Sequence, residues 1–251
     1  MADDDIGDLL KRWAHEPGHL NARTIEGTDG RTKLQIRLDL GVLQLELEGR
    51  PDGLRPEGHE SILDLQRDRL ERYERESESV TGFVLSAEEC RALREEAVQY
   101  YHRYVACFTL GDYERVVRDV DRNLEAFDLC RLYGATEIDR GILEQFRPHL
   151  LMMRARSRAE IALGKKQPKD ALTAIDDGLD AIRSFVAEAG FEGSIDDLNE
   201  MQILRGMRDA LVPKLPASQR VEIEERLRAA LDAENYELAA ILRDELRMMQ
   251  D

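Results

Sequence analysis

The sequence is poor in several features that secreted, membrane-spanning and nucleic-acid-binding proteins depend on. Its three cysteines, Cys90, Cys107 and Cys130, are an odd number, widely spaced, and form no CxxC pair, so neither a disulfide framework nor a cysteine-based metal centre is expected. They sit within apolar helical stripes, as small core residues of a reducing compartment do. No run of eighteen apolar residues occurs, which excludes a membrane-spanning helix. The opening MADDDIGDLL is acidic where a secretory signal is basic, and a cytoplasmic protein is expected. Basic residues are in deficit too. The 36 Lys and Arg against 52 Asp and Glu leave a net charge of -16, which repels phosphate backbones and anionic lipid surfaces. Direct nucleic-acid binding and membrane association are therefore not expected.

What is present is a hydrophobic content of 42%, sufficient for a sizeable core in one or two domains. The segment 1–58 reads as a small α+β module. A short helix carries Trp13, the one tryptophan, and ends at Pro17-Gly18. Thr24-Ile25 and the alternation Leu34, Ile36, Leu38, Leu40 flank Thr28-Asp29-Gly30, the pattern of a hairpin with a glycine turn. The apolar parity then shifts to Leu43, Leu45 and Leu47, which calls for a bulge or tight bend at Asp39-Leu40-Gly41. The segment closes at the loop Gly49-Arg50-Pro51-Asp52-Gly53.

Two strings in this module imitate enzyme motifs. His15-Glu16-Pro17-Gly18-His19 satisfies HExxH, whose two imidazoles bind zinc from one face of a helix. Pro17 and Gly18 break the helix between them, so two polar residues in a turn are expected and no metal. Gly49 to Gly53 lacks the lysine and the spacing of a phosphate-binding loop and reads as a turn. His59, His102 and His149 lie far apart and near no nucleophile motif. No catalytic residue and no cofactor is therefore assigned; an enzyme using the N-terminal module is the distant alternative.

Residues 59–85 hold a charged connector helix in which Arg67 with Glu71, Asp68 with Arg72, Glu71 with Arg75, and Arg72 with Glu76 are spaced to pair in solvent. Residues 86–212 are expected to be helical throughout. Ser86 and Glu89 form a capping box, and a wide apolar face from Cys90 to Phe108 stops at Gly111. Asp112 opens a second helix ending near Gly134, and a third spans Ile142 to Leu163 with Phe146 inside. A fourth carries Leu172, Ile175, Leu179, Ile182 and Val186, and Ser194 with Asp197 caps a fifth that runs to Leu211. Pro213 and Pro216 mark a linker to a helical hairpin at 217–251.

The hairpin carries two amphipathic runs. Ile223, Leu227, Ala230 and Leu231 recur at helical spacing before Asn235, and Tyr236, Ala239, Ala240, Arg243 and Leu246 after it. Asn235 suits a turn in left-handed geometry, and the paired alanines suit close helix approach. Two helices of this length bury little alone, so the stripe is expected to be completed from outside itself.

The run Tyr236-Glu237-x-Ala239-Ala240-x-Leu242-Arg243-Asp244 resembles the UVR motif that ends the bacterial excision-repair proteins UvrB and UvrC, and is similar to that of McsA-like activators of protein arginine kinases. The resemblance covers about an eighth of the chain and implies protein-protein contact through Leu227, Leu231, Tyr236, Ala239, Ala240, Arg243 and Asp244. The implied partner is a UvrB/UvrC-like protein or a second copy, the latter giving a homodimer. It implies a non-catalytic adaptor linked to excision repair; an adaptor in stress response or protein quality control is the alternative. Leu110-Gly111-Asp112-Tyr113-Glu114 with Val116, and Lys169-Asp170-Ala171-Leu172 with Ala159, look like tetratricopeptide turns. That likeness implies a concave groove lined by Val98, Tyr101, Val105, Phe108, Met153, Arg156 and Glu160; the alternative is an apolar stripe that is simply core. The fold class expected is mainly α: a small N-terminal α+β module, tetratricopeptide-like helical hairpins and a C-terminal antiparallel helical hairpin.

Overall fold

The computed structural model describes residues 5–189, 195–212, 217–233 and 235–249. The protein is mainly α with a small three-stranded antiparallel sheet near the N-terminus. It divides into two compact units, Met1–Leu150 and Leu151–Asp251, and the division falls inside the stretch 86–212. The cap at Ser194 and the linker prolines Pro213 and Pro216 lie outside the described residues.

The first unit begins with α1 (Gly7–Arg12), followed by β1 (Asn21–Glu26), β2 (Thr32–Leu38) and β3 (Gly41–Glu46) in the order β1-β2-β3. The parity shift seen in the sequence is resolved by a two-residue turn. Leu38 pairs with Gly41, and Leu40 sits at the tip, 87% exposed, instead of continuing the inner face. Leu34, Ile36, Leu45 and Leu47 are buried on one face. On the other face the β2 residues Lys33, Gln35 and Arg37 are buried as well, and that face is polar. Arg23 donates to Gln35 Oε1 at 3.0 and 2.8 Å, Gln35 donates to Gln44 at 2.9 Å, and Arg23 stacks over Trp13 at 4.0 Å. Arg23, Gln35 and Gln44 share one rung of the register, so the sheet is laced by side-chain bonds between directly opposed residues.

The helices of this unit are α2 (Ile62–Ser77), α3 (Ala87–Thr109), α4 (Tyr113–Tyr133) and α5 (Glu137–Gly141). Ser86 and Glu89 make the expected capping box, and Asp112 caps α4 through Arg115 N–H at 3.3 Å after Gly111 turns the chain at φ 77°. The connector helix α2 departs from its expected solvent setting. Leu63 and Leu65 are buried, Arg67 reaches Glu125 of α4 at 3.0 Å, and of the four expected pairs Asp68 with Arg72 closes, at 2.6 Å. The third helix also starts later than expected. Residues 142–146 hold a short 3-10 turn, Glu144–Phe146, before α6 (Arg147–Gly164), because Pro148 suits the first turn of a new helix. Phe146 is consequently 52% exposed instead of inside.

A buried charge cluster ties the sheet to the α3–α4 hairpin. Arg103 on α3 and Asp119 on α4 are fully buried and make a two-pronged pair at 2.6 and 2.8 Å. The remaining guanidinium nitrogen donates to the carbonyls of Glu46 at 2.9 Å and Gly49 at 2.8 Å. Arg118 donates to Leu47 O at 2.8 Å and pairs with Glu48, while buried Glu96 accepts from the N–H groups of Ile62 and Leu63 at 2.7 and 3.1 Å. The glycine loop after β3 is thus held by backbone acceptors facing arginines. It makes a structural clasp, consistent with its reading as a turn.

The second unit contains most of α6, then α7 (Pro168–Glu188), α8 (Asn199–Leu211), α9 (Ala217–Asp232) and α10 (Tyr236–Met248). Gly178 on α7 sets the closest approach. A Cβ added there would lie 2.3 Å from Ala155 Cβ on α6 and 3.3 Å from Leu204 on α8. No described helix is long and apolar enough to cross a membrane.

Candidate interaction site

The C-terminal hairpin packs against its own unit, and that decides which residues remain available. Ile223 and Ala230 of α9 and Ala239 and Leu242 of α10 are buried with Leu172 of α7 and Val212 after α8. Leu227, Leu246, Met248 and Met249 pack against this cluster half-buried. The apolar stripe that the sequence leaves to be completed from outside is completed by α7 and α8.

The inward positions of α10 are Ala239, Leu242, Glu245 and Leu246; of the run Tyr236, Ala239, Ala240, Arg243 and Leu246 read from the sequence, Ala239 and Leu246 are among them and the other three are not. Tyr236 is 68% and Leu231 50% exposed; Ala240, Arg243 and Asp244 are exposed with them. The seven expected contact residues therefore divide, with Leu227 and Ala239 turned to the core and the other five to solvent. Asn235 also departs from expectation. It is not left-handed but caps α10 at φ -83°, its side chain accepting from Leu238 N–H at 3.2 Å. A side-chain oxygen that satisfies a helix N-terminus outweighs the tolerance of asparagine for the left-handed region.

Two charged residues stand at inward positions. Arg208 on α8 is bound to Glu245 of α10 at 2.7 Å and to Asp176 of α7 at 2.7 Å. Glu245 is fully buried and its Oε1 has no hydrogen-bond partner. Burial works against the Arg208 charge, but Asp176 and Glu245 outweigh it and its pKa is raised. Beside this cluster lies a cleft of about 240 Å³, with Leu179, Leu238, Ile241 and Met248 among its apolar lining and Arg183, Arg205, Arg226, Asp180, Asp209 and Asp244 among its charged lining. Lys169 of α7 forms an exposed ion pair with Glu222 of α9.

The chain matches no family model, no curated protein and no solved structure.

The remaining expected site residues fall in both units. Tyr101, Val105 and Phe108 lie on α3 in the first unit; Tyr101 is exposed, and Val105 and Phe108 are half-buried. Arg156 lies half-buried on α6 in the second unit, and Met153, expected in the groove, is core. In the HExxH-like string α1 has already ended at Arg12, and Gly18 turns at φ 82°, so the two histidines do not share a helix face. Among the described residues no group of three or more potential metal-ligating side chains is gathered. Cys90, Cys107 and Cys130 are buried free thiols, and burial pushes Cys107 and Cys130 up to about 12. A thiol so held is a poor nucleophile.

The charged pairs were legible as misfits in apolar stripes. Met201, Leu204, Arg208, Leu211 and Ala239, Leu242, Glu245, Leu246 each place one charge where the spacing requires a core residue. Tyr100, Arg103, Tyr104, Cys107 and Val116, Asp119, Val120 do the same in the first unit.

Proposed function

We infer that the chain is a non-catalytic protein-protein interaction protein and that its C-terminal hairpin is the contact element. The observation that carries this reading is the hairpin's turn end. Leu231 and Tyr236 leave two large apolar side chains exposed there, although the hairpin's inner face is already packed; Leu238, on another side of α10, lines the cleft, and Arg243 and Asp244 are exposed further along the helix. Large apolar side chains left in solvent at the turn of a helical hairpin, with charged residues on the same helix, suit a small protein interface. The UVR-like string on the same helix supports a partner that is itself a helical hairpin. It would be borne by an excision-repair subunit of the UvrB/UvrC kind or by a second copy of the chain, in the cytoplasm. A net charge of -16 favours a protein partner over a phosphate backbone.

The test is association of the full chain with two probes, a tagged second copy and a purified UvrB-type subunit. Tyr236→Ala is expected to weaken binding to the true partner about ten-fold or more, which corresponds to roughly 1.4 kcal/mol. The thermal transition should stay in place. Unchanged association with both probes in Tyr236→Ala and Leu231→Ala would remove the hairpin tip from the interface.

A further inference from the structure

The second unit encloses a charge that its own residues leave unbalanced. Asp176 and Glu245 share the guanidinium of Arg208, each at 2.7 Å, and Glu245 is fully buried. The cluster is one positive charge short, and the shortfall has an address. Glu245 Oε2 takes the arginine, while Oε1 has no hydrogen-bond partner. Buried carboxylates are ordinarily paired with their oxygens filled, because an unfilled acceptor keeps its full cost of desolvation. The neighbouring cations are engaged elsewhere: Arg183 pairs with Asp180 and Arg205 with Asp196, and Arg226 is exposed.

The Glu245 carboxylate stands at the inner wall of the cleft of about 240 Å³. Its partners Asp176 and Arg208 line that cleft. So do Ile241 and Met248, which lie one turn before and one turn after Glu245 on α10 and share its side of the helix. Leu179 and Leu238 add to the apolar lining. An apolar cleft with a few convergent polar groups is the usual form of a small-molecule site.

We propose that the cleft binds a primary amine carried on a short aliphatic chain: the ammonium donates to Glu245 Oε1 and supplies the missing charge, and the chain lies along Leu179, Leu238, Ile241 and Met248. An ammonium offers three donors and no acceptor, which matches an unfilled carboxylate oxygen. A hydroxyl would fill the oxygen but leave the charge uncompensated, and an anion would add to the imbalance. A metal cation would need several converging oxygens, and the free one here is single. Since an apolar cavity of about 150 Å³ accepts benzene, the cleft has room for a chain of about six carbons with its ammonium. The site goes beyond the interaction reading and does not depend on it.

The experiment titrates the full chain at neutral pH with n-hexylamine, hexan-1-ol and hexanoate, followed by calorimetry. n-Hexylamine should saturate a single site and bind about ten-fold or more tightly than either analogue. Glu245→Gln keeps the shape and an oxygen for Arg208 while removing the charge, and should weaken n-hexylamine about ten-fold or more. Leu238→Trp, at the exposed edge of the cleft, should block it without disturbing the thermal transition. Should Glu245→Gln fail to fold, Leu238→Trp and the analogue series decide. Hexan-1-ol bound as tightly as n-hexylamine, or full affinity in folded Glu245→Gln, overturns the proposal. So does n-hexylamine that fails to bind, never saturates or still binds Leu238→Trp; in the last two cases it is held by the acidic surface and not by the cleft.

Discussion

The two units each bury an arginine between helices, and they treat it differently. In the first, Arg103 meets both oxygens of Asp119 and two backbone carbonyls, so the guanidinium and the carboxylate are both used. In the second, Arg208 is divided between Asp176 and Glu245, and one Glu245 oxygen has no partner. A buried charge is tolerated when its hydrogen-bonding capacity is filled, and a partly filled network is inferior to an apolar contact. The first arrangement reads as a permanent clasp of sheet to helices. The second reads as a contact whose hydrogen-bonding capacity is only partly filled.

The largest expected effect breaks the clasp. Asp119→Ala leaves Arg103 charged and buried without its carboxylate, and should destabilise the first unit by about 3–5 kcal/mol in denaturant unfolding. A loss as small as that of a surface substitution would show that the clasp is not what joins sheet and helices. Next comes the packing of the second unit. Gly178→Ala forces a Cβ to 2.3 Å from Ala155, and overpacking of this kind should cost about 1–3 kcal/mol, read as a lowered melting temperature of that unit.

A smaller effect concerns pH and sharpens the comparison, since it touches the first unit alone. Burial raises the Glu89 carboxyl, but the Ser86 N–H and Arg69 outweigh that and hold its pKa below the ordinary glutamate value. A depressed acid contributes stability above its unfolded pKa, and loses it as pH falls through the folded value. The Ser86 cap should therefore weaken under acid, and Glu89→Gln should flatten that part of the pH profile measured by thermal unfolding. Smallest of all is Glu245→Leu, expected to leave stability unchanged or slightly raised because it removes an unpartnered acceptor. A loss as large as that of Asp119→Ala would make the two buried pairs equivalent and erase the distinction drawn between them.

Much of the fold was legible because it depends on neighbours along the chain. The capping box at Ser86 and Glu89, the glycine turn at Gly111, the strict stripe from Leu172 to Val186 and the hairpin around Asp29-Gly30 are set by local geometry and by periods of 3.6 and 2. The errors arose where one residue could serve two ends. Asn235 could cap a helix or adopt left-handed geometry, Phe146 could continue a helix or precede a new one, and Leu40 could extend a strand or tip a turn.

By itself the sequence determined a mainly helical chain with a small sheet, buried thiols, no membrane-spanning helix among the described residues and a hairpin after the helical body. Only the tertiary structure decided which face of that hairpin is free. Periodicity marks a stripe as apolar but does not name what covers it; here the cover is Leu172 and Val212 of the same unit, which turns Leu227 and Ala239 inward and leaves Leu231 and Tyr236 in solvent. The same holds for the buried charges. Arg103 finds Asp119 across sixteen positions and Arg208 finds Glu245 across thirty-seven, separations at which pairing is set by helix packing and not by local spacing.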